Sequence, residues 1–158
     1  MFGKIKKMNK RIDIQELEPK GYRGMLVLES YLQNCGLSKT HLHLIKIRAS
    51  QINGCAFCIN MHTQDALKDG ETITRIVLLD AWRETESYSE EERSILAITE
   101  EVTLISQHGL SDASYETAKK YFDDHYIAQI KMAVVTINGW NRIAISTQKL
   151  PDIINPES

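Results

Sequence analysis

The sequence predicts an all-α fold, on three observations. Its three prolines, Pro19, Pro151 and Pro156, bracket a proline-free stretch over 20–150, so no helix interior is barred there. β-Branched residues do not alternate with polar ones over useful lengths, so no strand is expected. Apolar residues instead recur at helical spacing, as in Leu42, Ile45, Ala49 and Ile52. A chain of 158 residues suits one domain, expected over 1–158 with its core at about 20–147.

The elements follow in order. A first helix is expected over about 20–34, stopped by Gly36. Ser38 then caps a second, to about 52, which buries the stripe just named. Asn53-Gly54 breaks it, and a third helix runs from about 55 to just before Gly70. A short fourth covers about 72–81. Ser89 with Glu92 three residues on forms a capping box. The fifth helix follows, with Ile95, Ile98, Val102 and Ile105 on its apolar face, and ends at His108-Gly109. Ser111 caps a sixth to about 122. The last helix, about 127–148, places Ile130, Val134, Ile137 and Ala144 on one stripe.

Charge narrows the partners. The formal net charge is −2, so no global positive field draws in nucleic acid or an anionic membrane. A basic cluster, Lys4, Lys6, Lys7, Lys10 and Arg11, reads as a solvated leader. No apolar run follows that basic start, and the longest apolar stretches, such as 132–135, fall far short of a membrane span. A cytoplasmic protein is expected. Three cysteines in that compartment are no disulfide framework, and a close pair there points to catalysis or metal binding.

The pair is Cys55 and Cys58, in Ser50-Gln51-Ile52-Asn53-Gly54-Cys55-Ala56-Phe57-Cys58-Ile59-Asn60-Met61-His62. The turn at Asn53-Gly54 places both cysteines in the first turn of a new helix. Unpaired amides and the positive end of the dipole there favour a thiolate. Cys58 and His62 are spaced i and i+4, on one helix face, so His62 can take the Cys58 proton or pair with its thiolate. Cys55 is close enough to Cys58 to close a disulfide. Cys58 is thus the candidate nucleophile and Cys55 the resolving thiol. Two further explanations stay open on the residues alone: buried cysteines acting as small hydrophobes, and a zinc site. Zinc lacks an evident fourth ligand, since Cys35 is distant in sequence. Haem attachment in its usual form is excluded, because Ile59 and not His follows Cys58.

Other polar residues have structural explanations. Asn141 falls on the apolar stripe of the last helix and needs a helix–helix hydrogen bond. Arg48 and Arg142 are expected to pair with carboxylates such as Asp65 or Glu92. His108 suits a helix C-terminus. His41 and His125 are expected to be solvated, Cys35 to be an inert, partly buried thiol, and Trp82 and Trp140 to anchor packing.

The segment 43–66, with Ala81-Trp82-Arg83, Glu92-Arg93 and Ile137-Asn138-Gly139-Trp140-Asn141-Arg142, resembles the AhpD-like alkylhydroperoxidases of the carboxymuconolactone decarboxylase superfamily. The resemblance spans roughly 20–147. It implies an all-α, AhpD-like helical bundle with the CxxC at the N-terminus of a central helix. It implies assembly into homo-oligomers, commonly trimers or hexamers. It also implies a thiol peroxidase needing no metal or cofactor, in which Cys58 forms the sulfenic acid, Cys55 resolves it and shuttles protons, and His62 completes a relay. The substrate would be a hydroperoxide, and the reductant a lipoylated or thioredoxin-like dithiol.

Two departures stand out. The peroxidases carry a glutamate twelve residues before the first motif cysteine, where this chain has His43. Phe57 stands between the cysteines where they carry a histidine. A hairpin about Gly54 puts Lys46 level with His62 and His43 one turn further, about 5 Å along the axis. His43 is therefore a candidate base reaching His62 through a water, or an inert side chain. A competing outcome is a non-enzymatic thiol sensor or assembly module. Decarboxylation is not expected, because that branch lacks the cysteine pair. Elemental analysis of the purified protein is expected to find no stoichiometric metal; about one zinc per chain would favour the metal site.

Overall fold

The computed structural model describes residues 11–151, and helices with their connections account for all of the regular structure in that range. The helices are α1 Ile14–Leu17, α2 Pro19–Asn34, α3 Lys39–Asn53, α4 Ala56–Lys68, α5 Ile73–Leu78, α6 Glu90–Thr103, α7 Ile105–His108, α8 Asp112–Ala118 and α9 Asp124–Ser146. A 3₁₀ segment, Leu79–Glu84, follows α5. Lys4, Lys6, Lys7 and Lys10 of the basic cluster, and the tail beyond Pro151, lie outside the described residues. No helix among those described is long and apolar enough to cross a membrane.

Local chemistry explains most boundaries. Ser38, Ser89 and Ser111 each accept a backbone N–H of the following turn, and Ser89 with Glu92 forms the expected capping box. Gly54 ends α3 at φ 69°, a left-handed conformation that suits glycine. Asp13 caps α1, a short helix not foreseen from the sequence, by accepting from the amides of Gln15 and Glu16. Asp123 caps α9 three residues earlier than expected, accepting from Tyr126 N.

Two predicted helices are broken. The fourth stops at Leu78 and continues as 3₁₀ with a kink at Ala81 (φ −110°, ψ 29°). The kink lets Trp82 bury its ring while its Nε1–H donates to Glu100 Oε1 at 2.8 Å. The fifth breaks at Leu104, whose ψ of 36° ends the register. Ile105 consequently leaves the apolar stripe and is 57% exposed, while Ile95 and Ile98 are fully buried. α8 ends at Ala118, short of the expected 122, in two turns.

α3 holds the centre, packing against α4, α6, α9 and the 3₁₀ segment. Leu42, Ile45 and Ala49 face one core with Ile130, Val134 and Ile137 of α9. Leu44 and Ile47 face a second core with Leu79, Trp82 and Leu96. The stripe expected on this helix is thus one of two buried faces, and its last member, Ile52, is only half-buried. α2 lies on α9, and a Cβ at Gly139 would come within 2.7 Å of Met25 Cε, so glycine permits that close approach.

Buried polar groups tie α3 to α9. Asn141 donates to Ser50 Oγ at 3.0 Å, and Ser50 donates to the Lys46 carbonyl at 2.7 Å. Asn53 donates to the side-chain oxygens of Asn141 and Asn138, each at 2.9 Å, and Asn138 donates to Thr103 Oγ1 at 3.0 Å. The helix–helix role expected for Asn141 is observed.

Several expected partners differ. Arg48 pairs with Glu100 and Asp80, not Asp65 or Glu92, because α3 faces α6 and the 3₁₀ segment on that side. Glu92 is taken by Arg75, and Arg142 donates to Asn138. His41 is not solvated: it bonds Tyr126 Oη at 2.6 Å and sits edge-on to Phe122. Asn141→Ala should remove one hydrogen bond each from Ser50 Oγ and Asn53 and cost about 2 kcal/mol. Urea unfolding should show this as a lower midpoint at unchanged slope; a loss below about 0.5 kcal/mol would mean the network is dispensable.

Candidate functional site

The turn at Gly54 determines where the cysteines fall. Gly54 N–H bonds the Gln51 carbonyl and Cys55 N–H bonds the Ser50 carbonyl, closing α3. The chain then re-enters a helix at once, with Cys55 as the N-cap of α4 rather than a residue of its first turn. Cys55 Sγ accepts from the Cys58 amide at 3.4 Å. The two Cα atoms are 5.4 Å apart and the cysteines form a disulfide. Both are 1% exposed. Cys35 is a free, half-buried thiol elsewhere.

Cys58 lines a cavity of about 570 Å³ between α2, α3, α4 and the C-terminal end of α9. Tyr22, Leu26, Phe57, Met61, Trp140 and Ile143 form its apolar wall. Lys149 lies over the Phe57 ring at 4.1 Å from the centroid. Residues 12–15 border the mouth, and Arg11 holds them near the end of α9 by bonds to the Ser146 and Thr147 carbonyls.

His62 also lines this cavity, one helical turn beyond Cys58. Its side chain is buried, and its Nε2 has no hydrogen-bond partner among the described residues, Cys58 included. Burial, reinforced by the positive charges of Lys46 and His43, pushes its pKa down to about 3. The ring is therefore neutral at physiological pH. A buried nitrogen without a partner is costly.

His43 lines the same cavity, but its Nε2 bonds Asp69 Oδ2 at 2.8 Å, with no direct bond to His62. That bond and a second from Lys39 hold the Asp69 carboxyl below its ordinary range. Lys46 is buried and pairs with Glu29 of α2. Cys58, Cys55, His62 and His43 are thus brought to one place. Glu29 and Asp69 were not foreseen. Glu29 is the one charge within the apolar run of 25–32 on α2, a signal visible in the sequence; the position of Asp69 beside His43 depends on the α3–α4 hairpin. Among the described residues no cluster of three or more His, Cys, Asp or Glu is arranged to hold a metal.

The all-helical bundle, with C-x-x-C opening a helix beside a buried histidine, matches an AhpD-like fold. The chain belongs to the carboxymuconolactone decarboxylase family, whose model matches residues 20–101, and is an AhpD-like domain within it. It is 41% identical to the uncharacterized protein YdfG of Bacillus subtilis (strain 168) over 139 residues, covering 88% of this chain and 95% of that protein. The crystal structure of ATU0492 from Agrobacterium tumefaciens superposes with a TM-score of 0.90 at 38% identity, covering 92% of this chain and 100% of that one. ATU0492 is a protein of unknown function, provisionally described as an AhpD antioxidant defence protein. The debrominase Bmp8 shares the fold alone, with a TM-score of 0.79 at 14% identity, covering 87% of this chain and 74% of that one.

The buried histidine makes stability depend on pH. Its folded pKa, about 3, lies below the ordinary 6.5, so the unfolded chain binds the proton more readily. Stability is full above about pH 6.5 and falls toward pH 3, by at most about 1.4 kcal/mol per pH unit. His62→Gln should flatten that fall between those limits. Urea midpoints measured at pH 7 and pH 4.5 check this; an equal fall in both proteins would show that His62 does not carry it.

Proposed function

We propose that the protein is a thiol-dependent oxidoreductase that reduces hydroperoxides at Cys58. The supporting observation is one sulfur, Cys58, that both lines a cavity and is disulfide-bonded to a neighbour that does not line it. In the reduced protein the Cys58 thiolate attacks the distal peroxide oxygen. The O–O bond breaks, Cys58 becomes a sulfenic acid, and the alkoxide leaves and takes a proton. The Cys55 thiol then attacks the Cys58 sulfur, forming the disulfide and releasing water. An external dithiol, of the lipoylated or thioredoxin-like class, returns both cysteines to thiols and is itself oxidised. One hydroperoxide and one dithiol become one alcohol, one water and one disulfide.

The local chemistry fits each role. Helix α4 starts at the pair, so its unpaired amides favour negative charge on sulfur. The cavity wall is mostly apolar and accepts an organic group beside the peroxide. His62 lines the same cavity, and its Nε2 is left without a hydrogen-bond partner among the described residues. Family membership supports redox chemistry, since AhpD-like proteins are commonly enzymes. We place the protein in the cytoplasm and as a homo-oligomer, as trimer or hexamer; size-exclusion chromatography with light scattering reads the assembly.

The test begins with the reduced protein and a stoichiometric dose of hydroperoxide, read by intact mass and peptide mapping. Loss of two hydrogens, mapped to Cys55–Cys58, is expected. Cys55→Ser should trap a Cys58 sulfenic acid, and Cys58→Ser should lower peroxide consumption with a dithiol by at least about 10³-fold. Consumption surviving in Cys58→Ser, or oxidation shared equally with Cys35, would reject the mechanism. Oxidation of the pair without turnover, with a changed elution volume, would favour a sensor.

A further inference from the structure

Lys46 is a charged side chain in an unusual place. It is 4% exposed, on the central helix α3, and it lines the cavity that holds Cys58 and His62. A buried ammonium needs a partner, and Glu29 reaches it from α2. The Glu29 carboxylate is 26% exposed, so solvent screens it more than the lysine it holds. The pair is therefore a dipole whose positive end lies deeper in the protein than its negative end.

The other charges around His62 do not compete. Lys39 and His43 from α3 share Asp69, and Lys68 pairs with Asp65 on α4. Lys39 and Lys68 are 78% and 74% exposed, against 5% for Lys46, so their fields are screened. Asp13 is engaged at the α1 amides, and exposed Lys149 lies on Phe57. From α9 the cavity is faced by Trp140, Ile143 and Ala144, none of which titrates.

We propose that Lys46, seated by Glu29, is a positioning residue that makes Cys58 the anion of the reduced site and leaves His62 an uncharged hydrogen-bonding group. The proposal rests on the thiol chemistry given above. It differs from a thiolate–imidazolium pair, in which the Cys58 proton would move to His62. A fixed cation lowers the free energy of a nearby thiolate and raises that of a nearby imidazolium. Both effects drive the Cys58 proton out to solvent. In the disulfide form no acceptor among the described residues holds a proton on His62 Nε2. In that form burial, and then the charges of Lys46 and His43, already lower the His62 pKa.

The experiment uses the reduced full chain and two readouts. The first is the rate of iodoacetamide alkylation at Cys58 between pH 4 and 10, followed by peptide mapping. The second is the pH dependence of the His62 ring signals by NMR. In the wild type, alkylation should follow one titration, and the ring should stay neutral from pH 5 to 8. Lys46→Met should raise the alkylation midpoint by about one pH unit, a roughly tenfold lower rate on the acid limb. It should also bring His62 titration toward its ordinary range, and Lys46→Arg should restore both. A folded Lys46→Met with both profiles unmoved would overturn the proposal. So would a protonated His62 beside the thiolate in the wild type, which is read even if the variant fails to fold. Alkylation needs no peroxide turnover. Absent peroxide consumption with these profiles intact would therefore reject the peroxidase function alone.

Discussion

The structure depends on a small set of buried amide hydrogen bonds between α3 and α9. Ser50, Asn53, Asn138 and Asn141 satisfy one another at a largely buried seam. Their importance lies in where they sit. Ser50 and Asn53 are the last turn of α3, immediately before the glycine that reverses the chain. Clamping that turn to the longest helix of the fold fixes the start of α4, and with it the positions of Cys55 and Cys58. A dithiol site needs both sulfurs within bonding distance and the reactive one facing a cavity. An apolar contact in place of these bonds would bury as much surface but would tolerate rotation of the turn. Directional bonds do not.

The second constraint is the double burial of α3. With apolar residues facing two cores, the helix has little room for charge, yet it carries Lys46 and Arg48 inward. Arg48 is neutralised by two carboxylates, and its role ends in packing. Lys46 has one carboxylate and borders a cavity. Buried ion pairs contribute little net stability and often less than apolar replacements would. A residue that costs stability in the core while facing a site is where functional demands override packing.

Much of this was legible in the sequence because it is local. The caps at Ser38, Ser89 and Ser111, the break at Gly54 and the Cys55–Cys58–His62 spacing each involve residues within a few positions of one another. The features that were not legible are non-local. The kink at Ala81 answers to Trp82 and Glu100, which meet only once α6 and the 3₁₀ segment pack. His41 looked like a solvated histidine until Tyr126, far along the chain, closed over it. His43 shows the limit most clearly. Hairpin geometry correctly put it near His62, but its partner, Asp69, depends on how α4 ends, and no spacing rule specifies that.

The two cysteines differ in one respect that orders the chemistry. Cys58 borders the cavity and Cys55 does not. Anything attacking the disulfide from the cavity meets the Cys58 sulfur first and expels Cys55 as the leaving thiolate. Cys55 is the N-cap of α4, where an amide already points at its sulfur, so the leaving charge forms in a favourable field. On the proposed cycle the peroxide also reacts at Cys58. Both half-reactions then share one mouth and one sulfur, and the two substrates exclude each other in time rather than by separate sites. Such a site needs no second binding surface for its reductant. It needs a mouth wide enough for a dithiol arm, walls apolar enough to hold it, and a neutral hydrogen-bonding group that suits peroxide and thiol alike.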